Sequence, residues 1–520
     1  MVIRQRITGW GRRALTTADA AANRVYGWRH NPLYHSGALT LALLAVVLGT
    51  GIYLVFFYRI GAPYASVARL TDQVWLGRWI RTLHRYASDA AVVFAAIHAF
   101  RMLVQERSWG PRALAWVSGL VLLGVVFVCG WTGYVMIWDA HGLALAREGA
   151  RLLDALPLFS EPISRGFVGE RAVPNAFFFL NLFLHVALPV ALGLVLWVHV
   201  ARIARPALWP PRALTWGGLA VLLGLSLVVP AALGPEADLL RLHGAAPFDW
   251  FYSFWLPASV RLPVGGVWGL GLALGSAAVL LPWLWRPARV ARPGPSVVNE
   301  RLCSGCRQCY LDCPYEAIAM VEREDGRPGV VARVDPALCV SCGLCAGSCA
   351  PMGVGPPGRT GRDQLAAVRE AVAAWSALPD VVLIGCSRGA GGVARERTLD
   401  GATVLPVDCV GNLHTSVVEY LVRSGVRGVL IVSCPARDCW NREGVRWLHA
   451  RLYEGREAEL KARVDRRRVR VAQAGAAERG EVRAALGAFR ADLAAVPSGP
   501  AERAIELDTL CEPVEEVAAS

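Results

Sequence analysis

Six stretches of the 520-residue chain are apolar over about the 20 residues that a helix needs to cross a bilayer. They run over roughly residues 38–58, 79–104, 114–138, 177–200, 214–233 and 262–285. No other feature constrains the fold as strongly. Backbone inside hydrocarbon must satisfy its own N–H and C=O groups, so these stretches predict a bundle of six transmembrane helices over residues 1–290. An ordinary soluble enzyme is excluded for that part of the chain. The second and fourth stretches carry histidines, which a plain lipid-facing helix would avoid. The Arg-rich tail from Met1 to Ser36 leads into a span with no small-residue cleavage site after it, so it reads as retained and not as a signal peptide.

Charge sets the expected orientation. With the N-terminus inside, the inner segments 1–36, 101–113, 201–212 and 286–292 hold 15 Arg and only two acids, Asp19 and Glu106. The outer segments 59–78, 139–176 and 234–261 hold nine Arg and nine acids. This satisfies the positive-inside rule, and an even number of spans returns the C-terminal half to the cytoplasm. Residues 293–520 carry 28 Lys+Arg against 29 acids, so the formal +13 belongs to the inner rim of the membrane part. An excess that elsewhere points to nucleic acid is here a topology feature, and no nucleic-acid partner is expected. The expected location is a prokaryotic cytoplasmic membrane.

The histidines give the membrane part its chemistry. His84 and His98 are 14 residues apart on the second span, and His185 and His199 repeat that spacing on the fourth. Fourteen residues advance a helix by about 21 Å over nearly four turns. Each pair therefore lies on one face at two depths, and two such helices facing each other make two stacked bis-imidazole sites, suited to two b-type haems. Intramembrane histidines can also serve only as interhelical hydrogen-bond partners, but equal spacing on two helices favours ligands. Gly37 and Gly51 on the first span, and Gly119 and Gly133 on the third, repeat the same 14-residue period. Glycine would let a flat macrocycle approach the backbone.

Residues RWIRTLHRYASD with His98 and Arg101, NPLYHSGALT…GTGIYLVFFY, and GWTGYVMIW resemble cytochrome b of the bc-type quinol-oxidising complexes. The likeness covers about residues 28–285 and is strongest to the chloroplast-type core plus two helices of its companion subunit. It implies that His84 pairs with His185 near the outer face and His98 with His199 near the inner face. It also implies that Arg81 and Arg85 offer counter-charge to haem propionates, and that the domain can pair with a second copy. His35 stands where the chloroplast-type protein anchors a further haem through cysteine, and there is no CxxCH motif, so covalent haem is not expected. The loop AAPFDWFYSFW lies where that family carries Pro-Glu-Trp-Tyr at its quinol site. Asp249 and Trp250 take the Glu-Trp places, Phe248 and Phe251 replace Pro and Tyr, and Asp139 would form the opposite wall. A carboxylate among aromatics near the membrane surface suits a proton acceptor for a hydroquinone, although an interfacial aromatic belt has a similar composition. His141 reads as interfacial and solvated.

Only one of the 14 cysteines, Cys129, precedes residue 300. After the linker RPARVARPGP (Arg286–Pro295), Cys303, Cys306, Cys309 and Cys313-Pro form CxxCxxCxxxCP, and Cys339, Cys342, Cys345 and Cys349 repeat the spacing. This is the bacterial two-cluster ferredoxin signature, in which each fourth cysteine serves the other cluster. One [4Fe-4S] cluster would take Cys303, Cys306, Cys309 and Cys349, and the other Cys339, Cys342, Cys345 and Cys313. A zinc site is the weaker alternative. The segment 296–358 is thus expected as a small α+β ferredoxin-like domain, separated by a second linker, GVGPPGRTGR, from 363–520.

In that last part short apolar runs alternate with amphipathic helices, which predicts a small parallel α/β domain. Cys386, Cys409 and Cys434 end successive strands (VVLIGC, ATVLPVDC, GVLIVSC) and Cys439 follows. Strand C-termini converge on one edge of such a sheet, so the four can enclose one metal centre; separately buried thiols are the alternative. CSRGA, DCVGNLHTSVVEYLVRSGVRGVLIVSCPARDC and NREG resemble the delta subunit of methyl-viologen-reducing hydrogenases. The resemblance implies a [2Fe-2S] cluster on these cysteines and a heterodisulfide-reductase-like flavoprotein as partner. His414 reads as surface or capping, and Cys129 and Cys511 receive no role. No flavin, nicotinamide or hydrogenase-metal motif is present, so the expectation is an electron-transfer subunit between membrane quinone and a cytoplasmic flavoprotein. A haem-containing anchor without quinone chemistry is the alternative.

Overall fold

The computed structural model describes residues 2–108, 112–157, 161–167, 173–201, 205–240, 249–284 and 294–496. Phe248, Cys511 and most of the linker after the last span lie outside them. The described chain forms two compact units, one from residues 2–12 and 30–284, the other from 13–29 and 294–496. Residues 13–29 thus group with the C-terminal part, where Asn23 donates to Glu478 Oε1 at 2.7 Å.

In the first unit, α1 (Val2–His30) precedes α2 (Ser36–Val55), α3 (Pro63–Asp72), α4 (Gly77–Val104), α5 (Ala113–Ile137), α6 (Ala140–Leu153), α7 (Asn175–Ala201), α8 (Arg212–Val228), α9 (Leu256–Arg261) and α10 (Val264–Leu284). Five of these, α2, α4, α5, α7 and α10, are long and apolar enough to cross a membrane. The sixth expected span, α8, is only 17 residues long. Pro230 explains the early stop, because the residue before proline is driven out of helical conformation; Val229 has φ −125° and ψ 81°. The backbone beyond it is held by polar side chains of α4. Tyr86 donates to the Val229 carbonyl at 2.7 Å, Arg81 donates to the Ala231 carbonyl, and the Ala231 N–H donates to Thr82 Oγ1 at 3.0 Å. α2 packs on α4 and α5 on α7. Phe179, Phe183, Val190, Leu194 and Trp197 are exposed along α7, and Val221, Leu225 and Val228 along α8. Water would not tolerate this much contiguous apolar surface, which lipid satisfies. The protein is a multi-pass membrane protein.

The second unit holds two small sheets and one large one. β1 (Val297–Val298) pairs antiparallel with β4 (Val354–Gly355), and β2 (Ile318–Glu322) with β3 (Val330–Val334). Short helices α11 (Gln308–Asp312) and α12 (Leu344–Ser348) carry the cysteine motifs. The large sheet comprises β5 (Val381–Cys386), β6 (Thr398–Leu399), β7 (Ala402–Val407), β8 (Gly428–Ser433) and β9 (Val469–Gln473), in the order β6-β7-β5-β8-β9. Only the β6–β7 pairing is antiparallel. Helices α13 (Gly361–Ala373), α14 (Thr415–Arg423), α15 (Gly444–Tyr453) and α16 (Arg479–Ala494) complete it. The β5 and β8 cores (VVLIG, GVLIV) are apolar, β-branched-rich runs buried along their whole length, as the centre of a parallel sheet requires.

The GVGPPGRTGR stretch is not a free linker. Val354 and Gly355 form β4, Thr360 and Asp363 make a capping box at the start of α13, and Arg359 pairs with Asp408 at 2.5 Å. A Cβ on Gly355 would lie 2.9 Å from Ala346 Cβ and 3.0 Å from Thr360 Cα, so its glycine serves close packing, not flexibility. Ferredoxin-type segment and parallel-sheet segment are one packed body.

Candidate functional site

The four histidines of the membrane unit meet across α4 and α7. The His84 and His185 ring centroids are 6.3 Å apart, and His98 lies within electrostatic reach of His199. A metal–imidazole bond is about 2.0–2.1 Å, as in zinc sites, and each imidazole adds about 1.1 Å from nitrogen to centroid. Two rings on one iron would therefore stand about 6.3 Å apart. The residues fit a bis-imidazole haem.

The glycines have a more specific role than the sequence argument gives them. A Cβ placed on Gly37, Gly51, Gly119 or Gly133 would lie 3.0, 3.2, 3.2 or 3.0 Å from Cε1 of His98, His84, His199 or His185 respectively. Each glycine makes room for the edge of one imidazole. The residue before three of them binds that same ring. Thr50 Oγ1 is 2.9 Å from His84 Nδ1, Ser118 Oγ is 3.0 Å from His199 Nδ1, and Thr132 Oγ1 is 3.2 Å from His185 Nδ1. His185 Nδ1 also donates to the Cys129 carbonyl at 2.9 Å. Engaging Nδ1 fixes the ring and leaves Nε2 for metal. Sequence reasoning missed these hydroxyls, yet the pattern was present: Ser36-Gly37, Thr50-Gly51, Ser118-Gly119 and Thr132-Gly133 are four hydroxyl-glycine pairs at the histidine period.

The two arginines differ. Arg81 donates to the Ala231 carbonyl, and its Nε is buried with no partner among the described residues; an orphaned cationic donor fits a propionate. Arg85 is engaged otherwise than the resemblance implies. It pairs with Asp89 at 2.9 Å and with Asp249, and its guanidinium lies 4.6 Å from the Tyr134 ring centroid.

Asp249 is buried and fully subscribed. Its Oδ1 accepts from the Phe251 and Tyr252 N–H groups at 2.6 and 3.0 Å, and its Oδ2 takes Arg85 and the Tyr134 hydroxyl. Trp250 beside it is exposed. Asp139 is the N-cap of α6. Its Oδ1 accepts from Gly142 N at 2.9 Å and its Oδ2 from Gly234 N at 3.1 Å, so it anchors a helix and a loop. His141 is not solvated: it is 6% exposed, in the first turn of α6, its ring centroid 4.9 Å from that of Tyr134. His35 is buried as well.

In the second unit Cys303, Cys306, Cys309 and Cys349 line one cavity, with Met320, Ala332 and Val354 as its apolar walls. Cys342 and Cys345 neighbour Cys313 and Cys339. Burial pushes the Cys345 thiol up to about 12; iron binding would offset that cost by taking the thiolate. N–H donors already point at the sulfurs: Ala317 N to Cys313 at 3.3 Å, Gly353 N to Cys349 at 3.2 Å, and Ser296 N to Cys339 at 3.4 Å. Among the described residues no three His, Cys, Asp or Glu side chains are drawn together as around a single metal ion. The fold supplies proximity of the right cysteines without a preformed single-ion geometry.

Cys386, Cys409, Cys434 and Cys439 are all buried at the C-terminal edge of the large sheet. Cys386 ends β5, the strand from which neighbours leave in opposite directions, so the quartet sits at the switch point where α/β sheets bind ligands. Hydrogen bonds from Cys409 and Cys434, with the N–H groups of Asn441 and Gly444, hold Cys439 well below the usual thiol range. A Cβ on Gly444 would lie 3.0 Å from Cys409 Sγ and 3.5 Å from Cys439 Sγ. The start of α15 thus reaches these sulfurs, where its dipole favours negative charge. His414 caps α14 and is buried, not on the surface. Its Nδ1 accepts from Ser416 N at 3.2 Å and its Nε2 donates to the Cys349 carbonyl at 3.1 Å. Burial pushes its imidazole down to about 4.

Comparison with known proteins finds three matching stretches. Residues 26–206 match the family model for cytochrome b/b6/petB, residues 302–353 that for the 4Fe-4S dicluster domain, and residues 381–496 that for the methyl-viologen-reducing hydrogenase delta subunit. A solved structure titled "Hyperthermophilic respiratory Complex III" aligns with 18% identity and a TM-score of 0.39, over 48% of this chain and 75% of that one. The chain therefore joins a cytochrome b segment, a 4Fe-4S dicluster segment and a hydrogenase-delta-type segment, and it is a membrane electron-transfer subunit.

Proposed function

We propose that this subunit passes electrons between the membrane quinone pool and a cytoplasmic heterodisulfide-reductase-like flavoprotein. Two b haems, two [4Fe-4S] clusters and one [2Fe-2S] cluster would carry them. The observation that supports this best is the fourfold repeat of imidazole, backing glycine and adjacent hydroxyl in a chain that also gathers three cysteine quartets. These groups supply one-electron carriers; the protein's own residues hold, orient and insulate them. His84 with His185 and His98 with His199 hold the haems, and Arg81 answers a propionate. The iron–sulfur part would lie on the cytoplasmic side of a prokaryotic inner membrane, as the charge distribution favours. A second copy could pair through the cytochrome b segment.

The decisive measurement is anaerobic mixing of the purified complex with a short-chain quinol while the haem and iron–sulfur spectra are followed. Haem reduction by quinol, slowed at least tenfold in Asp249→Asn, is expected, since that change removes the charge that holds Arg85. Absence of quinol-driven reduction in a protein whose haems dithionite reduces would rule out the quinone reading. One observation favours a second reading, an anchor and electron wire without quinone chemistry: Asp249 has no lone pair left for a quinol. For the last quartet, Cys434→Ala should remove the [2Fe-2S] electron paramagnetic resonance signal and leave both [4Fe-4S] signals. Unchanged [2Fe-2S] signal would overturn that assignment.

A further inference from the structure

Asp249 and His141 face the same aromatic cluster and are opposites in hydrogen bonding. A carboxylate offers about four lone-pair positions, and two backbone N–H groups, Arg85 and Tyr134 take them at Asp249. His141 is 6% exposed, and neither of its ring nitrogens has a partner among the described residues. A buried polar group left unsatisfied costs about 1–3 kcal/mol. Two nitrogens left open among the described residues give one ring the capacity to hold a partner that brings its own hydrogen-bonding atoms.

The surroundings indicate its chemistry. The His141 ring is 4.9 Å from Tyr134, which in turn is 6.4 Å from Tyr252, and Phe127 is 6.4 Å from Tyr252. Aromatic side chains tilted or edge-on to one another suit contact with a further flat ring. Neutral imidazole presents one donor and one acceptor nitrogen, so it can receive a hydroxyl hydrogen or donate to a carbonyl oxygen. At their oxygens, a quinol donates where its quinone can only accept. Asp139 caps α6 just before His141, and the helix N-terminus disfavours a standing positive charge there. Burial lowers the imidazole's proton affinity below its ordinary value, partly opposed by Asp139 and Asp249 and reinforced by Arg85.

We propose that His141, and not Asp249, is the catalytic residue that hydrogen-bonds the quinone oxygen and exchanges its proton, while Asp249 positions Arg85 and Tyr134 around it. This rests on the quinone reading above. In the oxidative direction each of the two quinol O–H bonds would break in turn as an N–H bond forms on His141, which would pass each proton on to water before taking the next. The quinol's two electrons would leave one at a time to an oxidised b haem held by His84 and His185, the first passing on to the second haem before the other is accepted.

The test uses the full purified protein with its haems, a short-chain quinol as probe, and the variants His141→Leu, His141→Gln and Asp249→Asn. His141→Leu should slow quinol-driven haem reduction by roughly 100-fold or more, the range of general acid–base catalysis. His141→Gln should keep KM within about threefold and lose kcat, since glutamine keeps a hydrogen bond without taking a proton. The wild-type rate should fall as the pH drops through the His141 ionisation, with Asp139, Asp249 and Arg85 as the other facing charges, and that limb should vanish in His141→Gln. Reduction by His141→Leu at the wild-type rate would overturn the proposal while leaving the quinone reading intact. That outcome would mean that buried water meets the ring. A wild-type protein inert to quinol but reduced by dithionite would fail the quinone reading itself, and this proposal with it. An unchanged haem spectrum in the variants shows that the fold survives.

Discussion

Gly133→Val is expected to remove the haem proposed for His84 and His185, so that, with two haems as proposed, the purified protein carries about half its b-type haem. A single Cβ at this position would stand 3.0 Å from His185 Cε1, closer than ordinary van der Waals contact, and 3.5 Å from its Nδ1. Valine adds two further methyl groups to that contact. The ring cannot retreat while keeping its Nδ1 bonds to Thr132 and the Cys129 carbonyl. Moving the ring by even 1 Å takes Nε2 out of bonding range of an iron about 2 Å away. Gly124→Val on the same helix is the control, because nothing lies within 4 Å of a Cβ there. Pyridine haemochrome quantification against protein reads the result. Full haem content in Gly133→Val, or equal loss in Gly124→Val, would contradict the assigned role of this glycine.

The second large effect is expected at Asp312→Ala, a residue next to Cys313 that binds no cluster. Asp312 is 0% exposed, accepts from Ser348 Oγ at 2.6 Å and pairs with Arg456. Arg451 is also 0% exposed; it donates to Ser348 Oγ at 3.1 Å and to the Gly411 carbonyl at 2.9 Å. Burial pushes the Arg451 guanidinium down to about 10, and Asp312 is the foremost charge that opposes this. Deleting the carboxylate removes the ion-pair partner of the part-exposed Arg456 and the foremost charge balancing the buried Arg451, a loss that the breaking of a buried pair bounds at about 3–5 kcal/mol. That is a large share of the about 5–15 kcal/mol that holds a domain. The thermal midpoint for bleaching of the iron–sulfur absorbance should fall by roughly 10 °C. Asp312→Asn, which keeps an acceptor for Ser348, should lose less. A shift below about 2 °C in Asp312→Ala would show that the network does not clamp α11 and α12 to α15.

Several features were legible without coordinates because they are local or periodic. The His84/His98 and His185/His199 spacings follow from helical rise alone, and the eight motif cysteines follow from the tight turns that a cluster imposes on nearby chain. The strand that ends at Cys386 follows from its β-branched run, as do the strands that stop one residue before Cys434 and two before Cys409. The end of α8 was also within reach, since Pro230 marks it, although hydropathy alone runs past it to residue 233. The GVGPPGRTGR stretch was misleading because proline and glycine mark both flexible linkers and tight packing. Only the neighbours Ala346, Thr360 and Asp408 distinguish the two.

The sequence by itself thus determined the ligand types, their spacing and the membrane character, since helix period, hydropathy and cysteine spacing are properties of contiguous chain. The tertiary structure decided which imidazole each glycine backs, that Asp139 is a cap, that Asp249 has its lone pairs filled and that His141 is buried with its nitrogens open. Those facts depend on residues tens to more than a hundred positions apart meeting in space, from Gly51 on His84 to Arg85 on Asp249, and no local pattern encodes which polar atoms will find partners there.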